Sequence, residues 1–176
     1  MKLNLLNGSC LFIAASLGYS SLSLAADNQI TFTGKVLDTA CTVTVNGGNS
    51  KVDLGGTLKS DISKQGNTGA PKSFTIALSA CPADGPTGAY IKFSGETDGN
   101  SSWFKNTETN SPATKVAVLI KQGNTTVSAD DGNDVISIPA TGGDVNVDYT
   151  AQLIATADGA TKGSVSSTLT YNISYQ

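Results

Sequence analysis

The feature that most constrains the fold is a two-residue alternation of apolar and polar side chains, recurring in short runs through the chain. Ile30, Phe32, Gly34 and Val36 alternate with Thr31, Thr33 and Lys35; Phe74, Ile76 and Leu78 alternate with Ser73, Thr75, Ala77 and Ser79. The same period returns at residues 42–45, 90–93, 115–121, 135–138 and 147–153. A strand sends successive side chains to opposite faces, whereas a helix would repeat near 3.6 residues, so these runs predict short strands with one buried face. In 115–121 the second phase, Ala117 and Leu119, is also apolar, which predicts a strand covered on both sides. Between the runs lie Asn46-Gly47-Gly48-Asn49, Asp84-Gly85-Pro86, Asp98-Gly99-Asn100, Asp131-Gly132-Asn133 and Gly142-Gly143-Asp144, all strong turn chemistry. Seven or more strands at this spacing predict an all-β sandwich of immunoglobulin-like type.

The first residues follow another logic. Lys2 precedes an apolar stretch from Leu11 to Leu24, which ends in the small residues Ala25 and Ala26. This order predicts a secretory signal peptide over residues 1–25, cleaved after Ala25 or, as the close alternative, after Ala26. Ser20, Ser21 and Ser23 interrupt the stretch, against the ~20 apolar residues of a membrane span. No stable membrane insertion is expected.

Export decides how the cysteines read. Removing 25 of the 176 residues leaves 151, enough for one domain, and leaves Cys41 and Cys81. Two cysteines in an exported chain most simply form one disulfide, and closing the loop of about 40 residues between them stabilises a fold by roughly 4 kcal/mol in the chain-entropy model. A metal is not expected, because two thiolates without His cannot complete a tetrahedral site. The sequence contains no His, which removes His-based nucleophile relays and general bases. It also contains no Arg and carries a formal net charge of −3, so nucleic acid is not expected as a partner. Ser102-Trp103-Phe104-Lys105 matches the Ser-x-x-Lys pattern of penicillin-recognising enzymes, but its companion motifs are missing. Asp130-Asp131-Gly132-Asn133-Asp134 reads as a solvated turn because it lacks the ligand spacing of a calcium loop. Trp103 is the only Trp; packing or a contact between subunits is the commoner role for such a residue, and a sugar platform the rarer one. No catalytic residue and no cofactor are expected.

The two ends of the mature chain carry most of the functional information. From Gly163 onward Val165, Ser167, Leu169, Tyr171, Ile173 and Tyr175 share one face, opposite Ser164, Ser166, Thr168, Thr170, Asn172 and Ser174. No Lys, Glu or Pro guards this segment, although soluble proteins use such residues to protect an edge strand. The strand is either central in its sheet or completed by another molecule through strand addition. The alternating run near the amino end of the mature chain favours the second possibility, since a head-to-tail polymer needs a donated strand and a vacant edge on every copy.

These residues resemble the subunits of chaperone–usher fimbriae such as type 1 and P fimbriae. The likeness rests on the run from Ile30 into Cys41, the spacing of Cys41 and Cys81, Gly163 fourteenth from the carboxyl end, and the penultimate Tyr175. The resemblance implies an incomplete immunoglobulin-like sandwich, residues 39–176, completed by a donor strand from a neighbouring subunit, with residues 26–38 as the donor extension. By position, Asn28, Ile30, Phe32, Gly34 and Val36 would face the neighbour's groove. Gly163, Val165, Leu169, Tyr171, Ile173 and Tyr175 would border the recipient groove, and the carboxylate of Gln176 would be held by the chaperone. The implied partners are neighbouring pilin subunits, a periplasmic chaperone and an outer-membrane usher, and the implied destination is an extracellular fimbrium reached through the periplasm. Asn28 is polar where donor residues are often apolar, and the extension is short, closer to an adaptor or minor pilin. The length leaves no room for the lectin domain of a two-domain tip adhesin. The competing expectation is a self-contained secreted β-sandwich that binds small ligands or glycans.

Overall fold

The computed structural model describes residues 32–34, 36, 39–131 and 135–176. The signal-peptide boundary, Asn28 and Ile30 fall outside the described residues. The chain divides into two compact units, residues 1–34 and 35–176. Of the first unit only Phe32, Thr33 and Gly34 are described, and none of them is in a strand.

The second unit is built from strands β1 (Thr42–Val45), β2 (Lys72–Cys81), β3 (Gly88–Ser94), β4 (Phe104–Lys105), β5 (Val116–Gln122), β6 (Thr125–Thr126), β7 (Ile136–Ser137), β8 (Gly143–Ala155) and β9 (Thr170–Tyr175). A 3-10 turn at Asn46–Gly48 follows β1, and no α-helix occurs among the described residues. The larger sheet runs β1-β2-β8-β5-β4 with β6 also paired to β5, and the smaller runs β7-β3-β9. All the strand pairs are antiparallel.

The period-two phase decides which face is buried. In β2, Phe74, Ile76 and Leu78 point into the core and pair in register with Tyr149, Val147 and Val145 of β8. Across the sandwich, Ile91 and Phe93 of β3 belong to the same core. Tyr149 joins the layers: its ring stacks on Phe74 at 5.3 Å and meets the edge of Phe93 at 5.3 Å. The doubly apolar β5 has the two burials its sequence predicts. Val116, Val118 and Ile120 enter this core, while Ala117 and Leu119 form a second cluster with Ile154, against which Trp103 packs.

Cys41 and Cys81 form a disulfide, tying the residue before β1 to the end of β2 with Cα atoms 4.2 Å apart. Beside it the β2–β8 register shifts between Leu78 and Cys81, and Ala80 takes a positive φ of 51°. Such a bulge frees a main-chain donor, and the Asp144 carboxylate accepts it from Ala80 at 2.9 Å. Elsewhere Asp158 clips a loop by accepting from the Gln65 amide at 2.9 Å and from Lys64 Nζ at 3.3 Å. Those donors hold its carboxyl below the usual carboxylate range.

Two expectations need correction. The carboxy-terminal run was expected to form one long strand, yet β9 spans only Thr170–Tyr175. Its partner β3 ends at Ser94, so residues 164–169 have no strand to continue along. They turn instead to the 106–113 loop, with Ser164 bridged to Pro112 and Ser166 O accepting from Thr107 N at 2.7 Å. The run at 30–36 is likewise not a strand at its described positions: Phe32, Thr33, Gly34 and Val36 are unpaired. Phe32 is 91% and Val36 96% exposed. An alternating sequence becomes a strand only where a partner edge accepts its hydrogen bonds.

Candidate functional site: an open sheet edge at the carboxy-terminal strand

β9 has one strand neighbour, β3, among the described residues. The hydrogen-bond phase shows which groups are left over. Gln176 N donates to Gly88 O at 2.9 Å and Gly88 N donates to Gln176 O at 3.3 Å, so these residues form a mutually bonded pair. Antiparallel pairing alternates. Ser174 and Asn172, opposite Tyr90 and Lys92, therefore bond inward to β3, while Tyr171, Ile173 and Tyr175 turn their main-chain N–H and C=O to the open side. The side chains of the same three residues lie over the core opposite Phe93, Ile91 and Ala89. Ile173 and Tyr175 are only partly buried and Tyr171 is 41% exposed. Among the described residues, three inward-facing residues thus lack cover at the edge where their backbone lacks a partner.

The opposite bank is β1, which is paired only to β2 among the described residues. Its Val43 and Val45 are partly buried against the same core as Val165, Leu169, Ile173 and Tyr175. The two banks meet at the disulfide, where the Cys41 backbone N–H donates to the Tyr175 hydroxyl. Burial pushes the Tyr175 pKa above its ordinary 10.0, and the Cys41 donor opposes part of that rise. A folded pKa above the unfolded one means that the associated stability is complete below pH ~10 and is lost as pH rises through the folded value. Alkaline titration is therefore expected to lower the denaturant midpoint of the wild-type chain more than that of Tyr175→Phe, with absorbance at 295 nm following the phenolate. Equal alkaline losses would place the titrating group elsewhere.

At the other end of the edge Gly163 has a φ of 154°. A Cβ there would collide with the main chain of Pro112 and Ala113, which explains why glycine occupies this position. Asn106 fastens the same corner: its Nδ2 donates to Ala113 O at 2.9 Å and Ser164 O at 3.1 Å, while its Oδ1 accepts from Ser166 N at 2.9 Å and Glu108 N at 3.1 Å. Gly163→Ala is expected to cost roughly 3 kcal/mol, from backbone strain and overpacking together, measured as a fall in the denaturant midpoint.

Of the sequence-derived positions, Val165, Leu169, Ile173 and Tyr175 are brought together on the core, with Tyr171 in register beside them and Gly163 at the corner. The main-chain oxygen of Gln176 is taken by Thr87 N at 3.0 Å and Gly88 N, and the Tyr90 hydroxyl donates to its Oε1 at 3.3 Å. Sequence reasoning missed Val43, Val45 and Asn106. The two valines were legible as strand residues but not as the facing bank, and nothing in one sequence marks a loop asparagine as a hub.

A disulfide-tied all-β sandwich with two neighbouring open edges defines a class of assembly modules. A family model described as fimbrial protein matches residues 30–176. The F17 fimbrial protein of Escherichia coli is 31% identical over 166 residues, covering 89% of this chain and 92% of that protein. Long polar fimbria protein A of Salmonella typhimurium is 30% identical over 155 residues, covering 86% and 85% respectively. Among solved structures, the P pilus rod subunit PapA shares the fold with a TM-score of 0.64 at 19% identity, covering 78% of this chain and 100% of that one. The chain belongs to the fimbrial protein family. It is accordingly a structural subunit and not an enzyme, its association is with other pilin subunits, and its place is an extracellular appendage.

Proposed function

We propose that this fimbrial subunit enters its fibre by donor-strand exchange. One observation carries the reading: the edge of β9 leaves the main chain of Tyr171, Ile173 and Tyr175 open above a partly exposed core. A strand laid along that edge would satisfy those groups and cover those side chains. The occupant is the 26–38 extension of a neighbouring copy, whose Phe32 and Val36 are exposed and unpaired in their own chain. Asn28, Ile30, Phe32, Gly34 and Val36 are its inward residues, and Gly163, Val165, Leu169, Tyr171, Ile173 and Tyr175 border the groove.

Before assembly a periplasmic chaperone covers this edge and holds the carboxylate of Gln176, and an outer-membrane usher is where the neighbour's extension replaces it. Residues 1–25 are the export signal and 39–176 the sandwich domain. Deleting residues 27–38 is expected to leave an exported chain that makes no fibres visible by electron microscopy in cells lacking the native gene. Normal fibres from that deletion would overturn the reading.

A further inference from the structure

The outer face of the larger sheet, away from the open edge, holds a depression of about 520 Å³. Its apolar part is the second cluster, Leu119 and Ile154 beside Trp103. Around them stand Gln152, Lys121 and Asn100, together with small hydroxyl residues. Gln152 is the feature that asks for a ligand. It is 8% exposed and is the one buried polar residue among those described. Among the described residues its amide forms no hydrogen bond, and since no fully enclosed polar side-chain atom among them lacks a partner, that amide opens into the depression. Trp103 Nε1 and Lys121 Nζ likewise have no partner among the described residues, and no Asp or Glu is among those that line the site.

We infer that this depression binds a saccharide unit bearing a carboxylate, of uronic-acid type. The depression is wide open, so it offers a floor for one sugar ring and not an enclosed pocket. An indole beside aliphatic side chains suits the C–H surface of a pyranose ring, while an amide that can both donate and accept suits vicinal hydroxyls. One lysine with no acidic neighbour adds a preference for a single negative charge. A phosphate would call for more cations than this, and a lipid chain for fewer polar groups.

The test is saturation-transfer NMR on purified fibres of this subunit with methyl glucuronide and methyl glucoside, a readout suited to large assemblies. The expected result is transfer to the glucuronide ring protons with a Kd on the order of 1 mM, and weaker transfer to the glucoside. Gln152→Ala is expected to weaken both sugars about tenfold. Lys121→Gln, which removes the charge and keeps a polar side chain, is expected to bring glucuronide down to the glucoside level, a loss of discrimination that a merely structural role would not produce. Absence of transfer from either sugar would overturn the proposal, as would equal transfer from both to the wild-type chain. Trp103 is the chain's only tryptophan, so its emission reports the site alone. A shift of that emission on adding glucoside or glucuronide is expected, and its absence at saturating sugar would also overturn the assignment. In assembled fibres the subunit is folded whatever the mode of its assembly, so these outcomes and those that test donor-strand exchange are distinguishable.

Discussion

A synthetic peptide copying residues 26–38 is expected to raise the melting temperature of the mature chain by roughly 5–10 °C when present at about a hundred times its Kd. The arithmetic is linkage: a ligand of the native state at that excess adds about 2.7 kcal/mol, and a domain of this size gains about 2–4 °C per kcal/mol. The source of the affinity lies at β9. The open N–H and C=O groups of Tyr171, Ile173 and Tyr175 are each worth about 0.5–1.5 kcal/mol net when paired. Ile30, Phe32 and Val36 add about 1.5–3 kcal/mol for each side chain fully buried, before the cost of ordering the peptide. Without peptide or chaperone the chain is expected to be marginally stable or to aggregate, because an unguarded edge over partly exposed apolar side chains is a template for unspecific pairing. A control peptide in which Ile30, Phe32 and Val36 are exchanged with Thr31, Thr33 and Lys35 puts polar side chains on the inward phase and should not act. A stable monomer indifferent to the native peptide would refute donor-strand completion and leave a self-contained sandwich.

Why the sequence reveals some of this and hides the rest follows from what alternation encodes. It reports which face of a strand is buried, so β2, β3, β5 and β8 were legible, including the second apolar face of β5. It does not report whether a partner edge exists. Residues 164–169 keep the pattern of β9 and yet form no strand, because β3 stops at Ser94 and a glycine, Gly95, leaves room for Leu169 beyond it. β4 and β6, two residues each, are too short to carry a period. The open edge was legible because apolar residues stood on one phase of a segment without guarding charges. Gln152 was not: in the sequence it shares the polar phase of β8 with Asn146, Asp148 and Thr150, and only the packing of Trp103, Leu119 and Ile154 buries it.

Gly34→Leu separates folding from assembly more sharply than any other single change. In its own chain a Cβ at position 34 meets nothing within 4 Å, so the larger side chain has no cause to disturb the fold. Leucine is also a better strand residue than glycine, so local propensity would favour the variant as a donor. Any loss must therefore arise where the residue enters a neighbour. In the proposed register Gly34 stands between Phe32 and Val36 on the inward phase, and forcing a leucine into a slot matched to a glycine costs about 1–3 kcal/mol of overpacking. That corresponds to roughly a 10- to 100-fold loss in donor-peptide affinity, with Gly34→Ala falling between. In cells the Leu variant is expected to form its chaperone complex normally, since its own groove is unchanged, and to fail at incorporation into fibres. Peptides of residues 26–38 with Gly or Leu at position 34, competed for the same chain, measure the difference directly. Equal binding of the two, or wild-type fibres from the Leu variant, would show that position 34 does not face the groove and that the donor lies in another register.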